Sequence, residues 1–204
     1  MNSKWLGLLV AAGMFASPSY ADDAFELETT ASLGFMSQYV WRGWEVNEDP
    51  SGYGAFDLSY GNFYAGIWGG TDGRLGTEID LYVGYAAEFE EYFSYDIGVI
   101  QYRYPGADTH VQEWHITLDF DVVSATYHKG EDDYDYIELN TTFDLAEDFT
   151  LDLHYGHEDT GVWTWNDYGV TLNYQVNDNY RVYLSATSKE KHEDFLFFGI
   201  HADF

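Results

Sequence analysis

The feature of this sequence that most constrains its fold is a repeated unit of roughly ten residues with alternate apolar positions, followed by a turn. The unit recurs twelve times from about residue 25 to residue 204, and short turns alternate with longer, acidic connections. A strand that crosses a bilayer shows this alternation because one face contacts lipid and the other faces a polar interior. A sheet in lipid must also close on itself, since an open edge has no water to bind. The pattern predicts an all-β fold, a transmembrane antiparallel up-and-down β-barrel of about 12 strands.

The predicted strands have an even number, which returns the C-terminus to the side of the membrane on which the barrel begins. With the N-terminus in the periplasm, the shorter connections lie on the periplasmic side, as in outer-membrane barrels. We expect no plug inside the barrel. The predicted strands are 27–42, 52–60, 62–70, 77–89, 92–103, 111–120, 122–129, 134–145, 149–157, 165–175, 180–188 and 195–204.

Residues 1–21 have the features of a secretory signal peptide. Lys4 supplies the charged start, residues 5–16 are mostly apolar, and Ser-Tyr-Ala at 19–21 is a small-x-small cleavage site. The apolar run is too short to cross a bilayer. The barrel would then occupy residues 22–204, and we expect it in the bacterial cell outer membrane.

The composition excludes some partners and favours a membrane interface. The signal peptide holds one of the 8 basic residues and none of the 36 acidic ones, so the mature chain would carry a formal charge of −29. A chain this acidic repels nucleic acid, which we exclude as a partner. There is no cysteine, hence no disulfide. The 20% aromatic content, with 19 Tyr, suits residues at membrane interfaces.

Strand parity predicts which side chains face lipid. Aromatic residues on the apolar parity concentrate near the strand ends, as in the two girdles of a membrane barrel. The terminal Phe204 resembles the C-terminal signal by which the barrel-assembly machinery recognises outer-membrane proteins. The periplasmic girdle is predicted at Tyr60, Phe63, Phe89, Phe93, Phe120, Phe143, Phe149, Tyr174, Tyr180 and Phe204, and the outer girdle at Trp41, Trp114, Tyr127 and Tyr168.

The opposite parity predicts a strongly acidic interior wall. An acidic, water-filled bore favours cations, as rings of carboxylates do in cation channels. Bulky inward residues would take up much of a bore of this size, so the sequence leaves open whether the lumen is open. These aromatics are Tyr64, Trp68, Tyr82, Tyr102, Tyr136, Tyr183 and Phe197. The predicted pore-lining residues are Arg42, Asp57, Glu78, Asp80, Asp96, Glu113, Glu138, Asp152, Asp167 and Arg181.

Two other functions remain open at this point. Acidic outer loops could bind lipopolysaccharide through divalent cations, although no loop has the spacing of a calcium-binding loop. A lipid-modifying enzyme is the third possibility, because Asp152 and His154 share a face and Ser124 lies on a nearby strand. Acyl transfer needs the serine and histidine in contact, however, and Ser124 competes with Val123 and Ala125 for the lipid side. We therefore predict no enzyme, no cofactor and no specific metal site.

Residues 37–43 (SQYVWRG) resemble the S-x-Y-V-x-R-G signature of the TorF-type porin family (Gcw_chp) of proteobacterial outer-membrane barrels. Residues 63–68, 78–85 and 95–106 are also similar to that family. The resemblance is good over about 29–106, and the rest follows the strand pattern. It implies an outer-membrane barrel that is called a porin by analogy, and it supplies no substrate and no catalytic residue.

The residues together favour a passive channel for small, preferably cationic, solutes. Arg42 lies where the first strand meets the first outer loop, and we expect it to pair with Glu78 or Asp57 and shape the entrance. The alternative is a non-conducting barrel that contacts lipopolysaccharide. The solute and the oligomeric state stay open.

Overall fold

Alternating apolar and polar residues build one closed antiparallel sheet in the computed structural model, which describes residues 26–90 and 92–204. Twelve of its strands close into a barrel, and two short strands pair separately as a hairpin. This confirms the predicted fold class. The predicted signal peptide lies outside the described residues. The strands are β1 (Leu27–Met36), β2 (Tyr39–Trp41), β3 (Trp44–Asn47), β4 (Ser51–Tyr60), β5 (Phe63–Asp72), β6 (Gly76–Glu90), β7 (Phe93–Tyr104), β8 (Thr109–Phe120), β9 (Val123–Lys129), β10 (Asp135–Ala146), β11 (Phe149–Asp159), β12 (Thr164–Gln175), β13 (Tyr180–Lys189) and β14 (Asp194–Asp203).

The barrel closes between its first and last strands. β1 pairs with β14 from Ser32 opposite Asp203 to Met36 opposite Gly199. The backbone of Phe204 continues the ladder, because its N–H donates to the Ala31 carbonyl at 2.9 Å and its carbonyl accepts from the Ala31 N–H at 3.1 Å. Closure leaves no free sheet edge, as a lipid environment requires.

Side chains alternate between an apolar outer surface and a polar interior. In β12, Val170 and Leu172 are exposed on the outside, whereas Asp167 and Thr171 are each only 1% exposed. A slip of one residue would turn these polar side chains outward, so the register is strongly fixed. Within the described part of the chain, no helix is long and apolar enough to cross a membrane.

The predicted strand boundaries hold to within two residues, except in the first strand. β1 ends at Met36 rather than at residue 42, and residues 39–47 turn back as the hairpin β2–β3. The hairpin reverses at a two-residue turn in which Arg42 (φ 49°) and Gly43 (φ 70°) both adopt left-handed backbone conformations. This conformation is typical of tight hairpin turns, and it cannot continue a barrel strand.

The hairpin β2–β3 folds into the barrel instead of extending into solvent. Tyr39 belongs to an apolar cluster with Trp68 of β5 and Tyr102 of β7. Val40 packs with Tyr183 of β13 and its neighbours on the other arc of the ring. The hairpin therefore crosses the bore, and the expectation of a barrel without an inward plug is wrong. We call this end of the barrel the hairpin end and the other, where Leu27 and Phe204 lie, the terminal end.

The aromatic girdles agree with prediction except at Trp41. Trp114, Tyr127 and Tyr168 are exposed on the outer surface near the hairpin end. Trp41 instead lies inside, with its ring 5.8 Å from that of Tyr102. The physical reason is again the early end of β1, which places Trp41 in the hairpin.

Candidate functional site

The candidate site is the interior of the barrel, where the polar parity of every wall strand converges. Glu78, Asp80, Glu113, Glu138, Asp152, Asp167, Arg42 and Arg181 are buried there, and Asp57 and Asp96 are half-buried. All ten side chains singled out from the sequence thus lie on the inner side of the sheet or on the hairpin inside it. Their burial reflects an enclosed interior and not a solvated rim.

Arg42 is the central cation of the hairpin end. Its Nη1 and Nη2 donate to Oε1 and Oε2 of Glu113 on β8, each at 2.9 Å. Nη1 also donates to the hydroxyl of Tyr134 at 2.8 Å, and the guanidinium lies 4.1 Å from the ring centroid of Tyr136. A planar guanidinium matches a carboxylate in this two-point geometry, and the flat cation also stacks well on aromatic faces.

The predicted partners of Arg42 were therefore wrong, although the predicted chemistry was right. Glu78 and Asp57 lie on β6 and β4, next to the arc where β1 stands. The hairpin carries Arg42 away from β1 toward β8, so Glu113 becomes its partner. Alternation along a single strand contains no signal for this displacement.

Lys189 is a second buried cation, and the sequence reasoning missed it. Its Nζ donates to the backbone carbonyl of Arg42 at 2.8 Å and forms an ion pair with Glu158. The same carboxylate accepts from Nε1 of Trp44 at 3.0 Å. Lys189 shares the inward parity of Arg181, and β13 extends one residue further than predicted. Strand parity would have identified it with that extra residue.

A ladder of acidic and imidazole side chains follows one arc of the wall from β8 to β12. His128 stands between Glu113 and Glu138, with nitrogen–oxygen distances of 3.5 Å and 3.2 Å. His154 stands between Glu138 and Asp167, at 3.8 Å and 2.8 Å. Cross-strand neighbours of this kind interact directly. Together with Arg42, the ladder gives this arc both hydrogen-bond donors and acceptors.

The contacts do not form a nucleophilic catalytic group. His154 Nδ1 donates to Oδ1 of Asn140 at 2.7 Å, and its Nε2 shares a hydrogen bond with the hydroxyl of Tyr136 at 3.0 Å. In the pairing register, Asn140 stands between Ser124 and His154. Acyl transfer requires the nucleophile and its base to be in contact. The predicted Asp152 is committed elsewhere, because it accepts from Thr142 and Asn173.

Ser124 faces the interior and not the lipid. It lies on the parity of Thr126 and His128, whereas its neighbour Val123 is exposed outside. The burial pattern therefore places Val123 on the lipid side and Ser124 on the inner side of the wall. Its Oγ is buried and has no hydrogen-bond partner among residues 26–90 and 92–204.

The arc from β4 to β7 is acidic and lacks this balance of donors. Asp57 accepts from the hydroxyl of Tyr82, and Asp96 contacts the ring of His115. One carboxylate oxygen each of Asp57, Asp80 and Asp96 is buried without a partner in the described chain. Arg181 lies on β13, opposite β7 in the ring. The interior thus has an acidic arc that faces a less acidic one.

The inward tyrosines lie over glycines of neighbouring strands. A Cβ added at Gly66 of β5 would lie 2.4 Å from Cζ of Tyr82 on β6. A Cβ at Gly84 would meet the ring of Tyr64 at 2.3 Å in the same way. The rings therefore rest on the wall rather than projecting straight across the bore. Rings that lie flat on the wall take up less of the bore than expected from the sequence.

The described residues hold no cluster of three or more His, Cys, Asp or Glu side chains arranged to bind a metal ion. The acidic character of the wall therefore comes from separate carboxylates along several strands.

Several solved structures with a similar fold are porins. The chain aligns with the KdgM porin with a TM-score of 0.69 and 12% identity, covering 86% of this chain and 99% of the other. The KdgM porin in complex with disordered oligogalacturonate gives a TM-score of 0.68 at 11% identity, covering 87% and 99%. The NanC porin gives 0.59 at 11% identity, again covering 87% and 99%. Identities this low show a shared fold and nothing more.

No curated protein matches the sequence. One bacterial family does match it, over residues 20–182, which is well over half of the chain. That match covers the hairpin, the acidic arc and the whole ladder of acidic and imidazole side chains from β8 to β12. The chain therefore belongs to the family described as "Bacterial protein of unknown function (Gcw_chp)".

Proposed function

We propose that this barrel is a passive porin-like channel of the bacterial outer membrane, which admits small and preferably cationic solutes. The observation that carries the proposal is the set of unpartnered carboxylate oxygens on the inner wall, at Asp57, Asp80 and Asp96. These carboxylates attract a cation that enters the bore, whereas they repel an anion. These carboxylates line a bore whose wall has a low dielectric constant, and such a wall concentrates their electric field inside the bore.

The porin fold of the similar structures supports this proposal at the level of architecture. The KdgM porin has been captured with oligogalacturonate, a polyanion. The acidic arc of the present chain argues for solutes of the opposite charge. We further propose that residues 1–21 direct export and that Phe204 is the assembly signal.

The hairpin sets the narrow part of this channel. It crosses the bore between the arc of β5 to β7 and the arc of β13 and β14. Solutes would pass beside it, along the acidic arc that continues toward the terminal end at Asp57 and Asp96. We propose that Arg42 and Lys189 hold the hairpin in place rather than repel solutes, because both are committed to carboxylates.

Recording from planar bilayers tests the channel. With a gradient of potassium chloride, the expected result is single-channel steps whose reversal potential favours potassium. The double variant Asp57→Asn/Asp96→Asn should lower this preference. The matched control is Asp152→Asn, since that carboxylate already accepts from two side chains. Chloride selectivity, or the same reversal potential in the double variant, would contradict the proposal.

A second candidate is a non-conducting barrel whose acidic outer loops bind lipopolysaccharide through divalent cations. The hairpin across the bore favours it. Asp132 and Asp133 are exposed in one such loop. In another loop, Glu190 already accepts a hydrogen bond from Lys191, which lowers the pKa of the Glu190 carboxyl. Absence of conductance together with calcium-dependent lipopolysaccharide binding would favour this candidate over the channel.

A further inference from the structure

Asp80 of β6 is a buried carboxylate without a counter-charge. It is 4% exposed, and its Oδ1 has no hydrogen-bond partner in the described part of the chain. The charged groups that act on it are Glu78 and Glu113, both acidic. Glu113 is balanced by Arg42, and Glu78 accepts hydrogen bonds from two tyrosines. Asp80 alone among these three carboxylates is left with no donor.

Aromatic side chains surround this carboxylate. In the pairing register, Asp80 stands directly between Trp68 on β5 and Tyr102 on β7. Tyr82 follows two residues along β6 on the same inward face. Tyr39 of the hairpin adds a ring 6.0 Å from that of Trp68. These four rings belong to one packed cluster.

The hydroxyl groups of the surrounding tyrosines are directed to other acids. Tyr39 donates to Glu78 at 3.3 Å, and Tyr102 donates to Glu113 at 3.3 Å. Tyr82 donates to Asp57. The tyrosines therefore offer Asp80 ring surface and no hydrogen bond. A lone carboxylate beside aromatic faces is the combination that attracts an organic cation, by charge and by cation–π contact.

We propose that Asp80 and the rings of Trp68, Tyr82, Tyr102 and Tyr39 form a binding site for a quaternary ammonium ion. An inorganic cation needs several oxygen ligands, and calcium takes six to eight of them. A primary ammonium group carries three N–H donors that need acceptors. Among the described residues around these rings, Asp80 is the one carboxylate without a donor, which is too few acceptors for either of these cations. A methylated ammonium, which donates no hydrogen bond, fits the chemistry best. The site deepens the proposed channel function and rests on it, because the ligand reaches Asp80 through the bore.

The probe that tests the site is choline, with its uncharged isostere 3,3-dimethyl-1-butanol as the matched ligand control. Isothermal titration calorimetry on the purified barrel in detergent should show saturable choline binding and no binding of the alcohol. Asp80→Asn should weaken choline binding roughly tenfold or more, since it removes the charge and keeps the shape. Asp178→Asn, in an exposed turn at the terminal end, should leave binding unchanged. Equal affinity for the alcohol, equal binding by Asp80→Asn, or no saturable heat would overturn the proposal.

The aromatic wall is tested separately. Trp68→Leu should weaken choline binding, whereas Trp114→Leu on the lipid-facing surface should not, because Trp114 is exposed outside. Folding of each variant is checked by the shift in gel mobility on heating and by circular dichroism. An unchanged affinity in folded Trp68→Leu would remove the cation–π contact from the proposal and overturn it.

Failure of the site and failure of the channel give different results. In planar bilayers, choline should reduce the potassium current of the wild-type barrel and leave that of Asp80→Asn unaffected. Potassium conductance with no choline effect and no calorimetric binding would leave the channel standing and refute the site. Calorimetric binding in a barrel that does not conduct would leave the site standing and refute the channel.

Discussion

At the scale of single residues, the buried two-point ion pair between Arg42 and Glu113 holds the hairpin against β8. Arg42→Ala should destabilise the barrel by about 3–5 kcal/mol, because it leaves a buried carboxylate without its partner. The free energy of unfolding in urea, measured in detergent, checks this value. The double variant Arg42→Met/Glu113→Gln should recover much of the loss. A stability loss in the double variant equal to the sum of the two single losses would show that the pair is not coupled.

Alternation along the strands predicted much of the interior at this scale. It placed Asp80, Asp152 and Asp167 on the inner wall, because a period of two decides the face of each strand residue. It also gave Arg42 an acidic partner. The identity of that partner could not be predicted. It depends on the reversal of the chain at Arg42 and Gly43, and alternation of apolar and polar residues contains no signal for that reversal. Lys189 was missed because the end of a strand carries little periodic signal.

The close contact between Gly66 and the Tyr82 ring gives a second prediction at the scale of single residues. Gly66→Ala should push the Tyr82 ring off the wall, because the new Cβ would lie 2.4 Å from Cζ. We expect a loss of stability of about 1–3 kcal/mol and a smaller single-channel conductance. Gly52→Ala is the control, since its Cβ would meet only the Gly34 carbonyl at 3.9 Å. Equal conductance in the two variants would contradict the contact.

At the scale of elements, the hairpin β2–β3 is the part of the structure that most affects passage. Replacing residues 39–47 with a short Gly-Ser linker should raise the conductance, because it removes the chain that crosses the bore. The wall strands keep their pairing, so the barrel should stay folded. Single-channel recording measures the effect, and heat-shifted gel mobility checks the fold. An unchanged conductance would mean that solutes do not pass the hairpin.

The twelve wall strands were predictable as elements, and the hairpin was not. Wall strands and hairpin strands have the same period of two, so alternation through residue 42 extended the first predicted strand too far. The distinguishing signal is local. Gly43 follows Arg42 at the turn, and a Cβ at Gly43 would lie 2.9 Å from Cβ of Asp167 and of Lys189. A glycine inside a predicted strand often marks a turn or a close approach of this kind.

At the scale of the whole molecule, closure of the ring depends on the last residues. Phe204 is exposed on the outer surface and its backbone pairs with Ala31. If Phe204 is the assembly signal, Phe204→Ala should lower the amount of barrel in the outer membrane. Refolded Phe204→Ala in detergent should nevertheless conduct like the wild type. Equal yield in cells would refute the signal, and Phe204→Tyr serves as the conservative control.

The mature chain has a predicted charge of −29, so cation selectivity could arise from this overall charge or from single buried carboxylates. Varying the ionic strength distinguishes the two origins. The screening length is about 10 Å at 0.1 M salt and about 3 Å at 1 M. Preference that arises from the diffuse charge of loops and wall should therefore fall as potassium chloride is raised over this range. Preference that arises from Asp80 should persist, because a buried charge is screened much less. Reversal potentials at both salt concentrations, in wild type and in Asp80→Asn, separate the two sources. If the variant and the wild type lose selectivity alike at 1 M, the surface charge alone selects the ions.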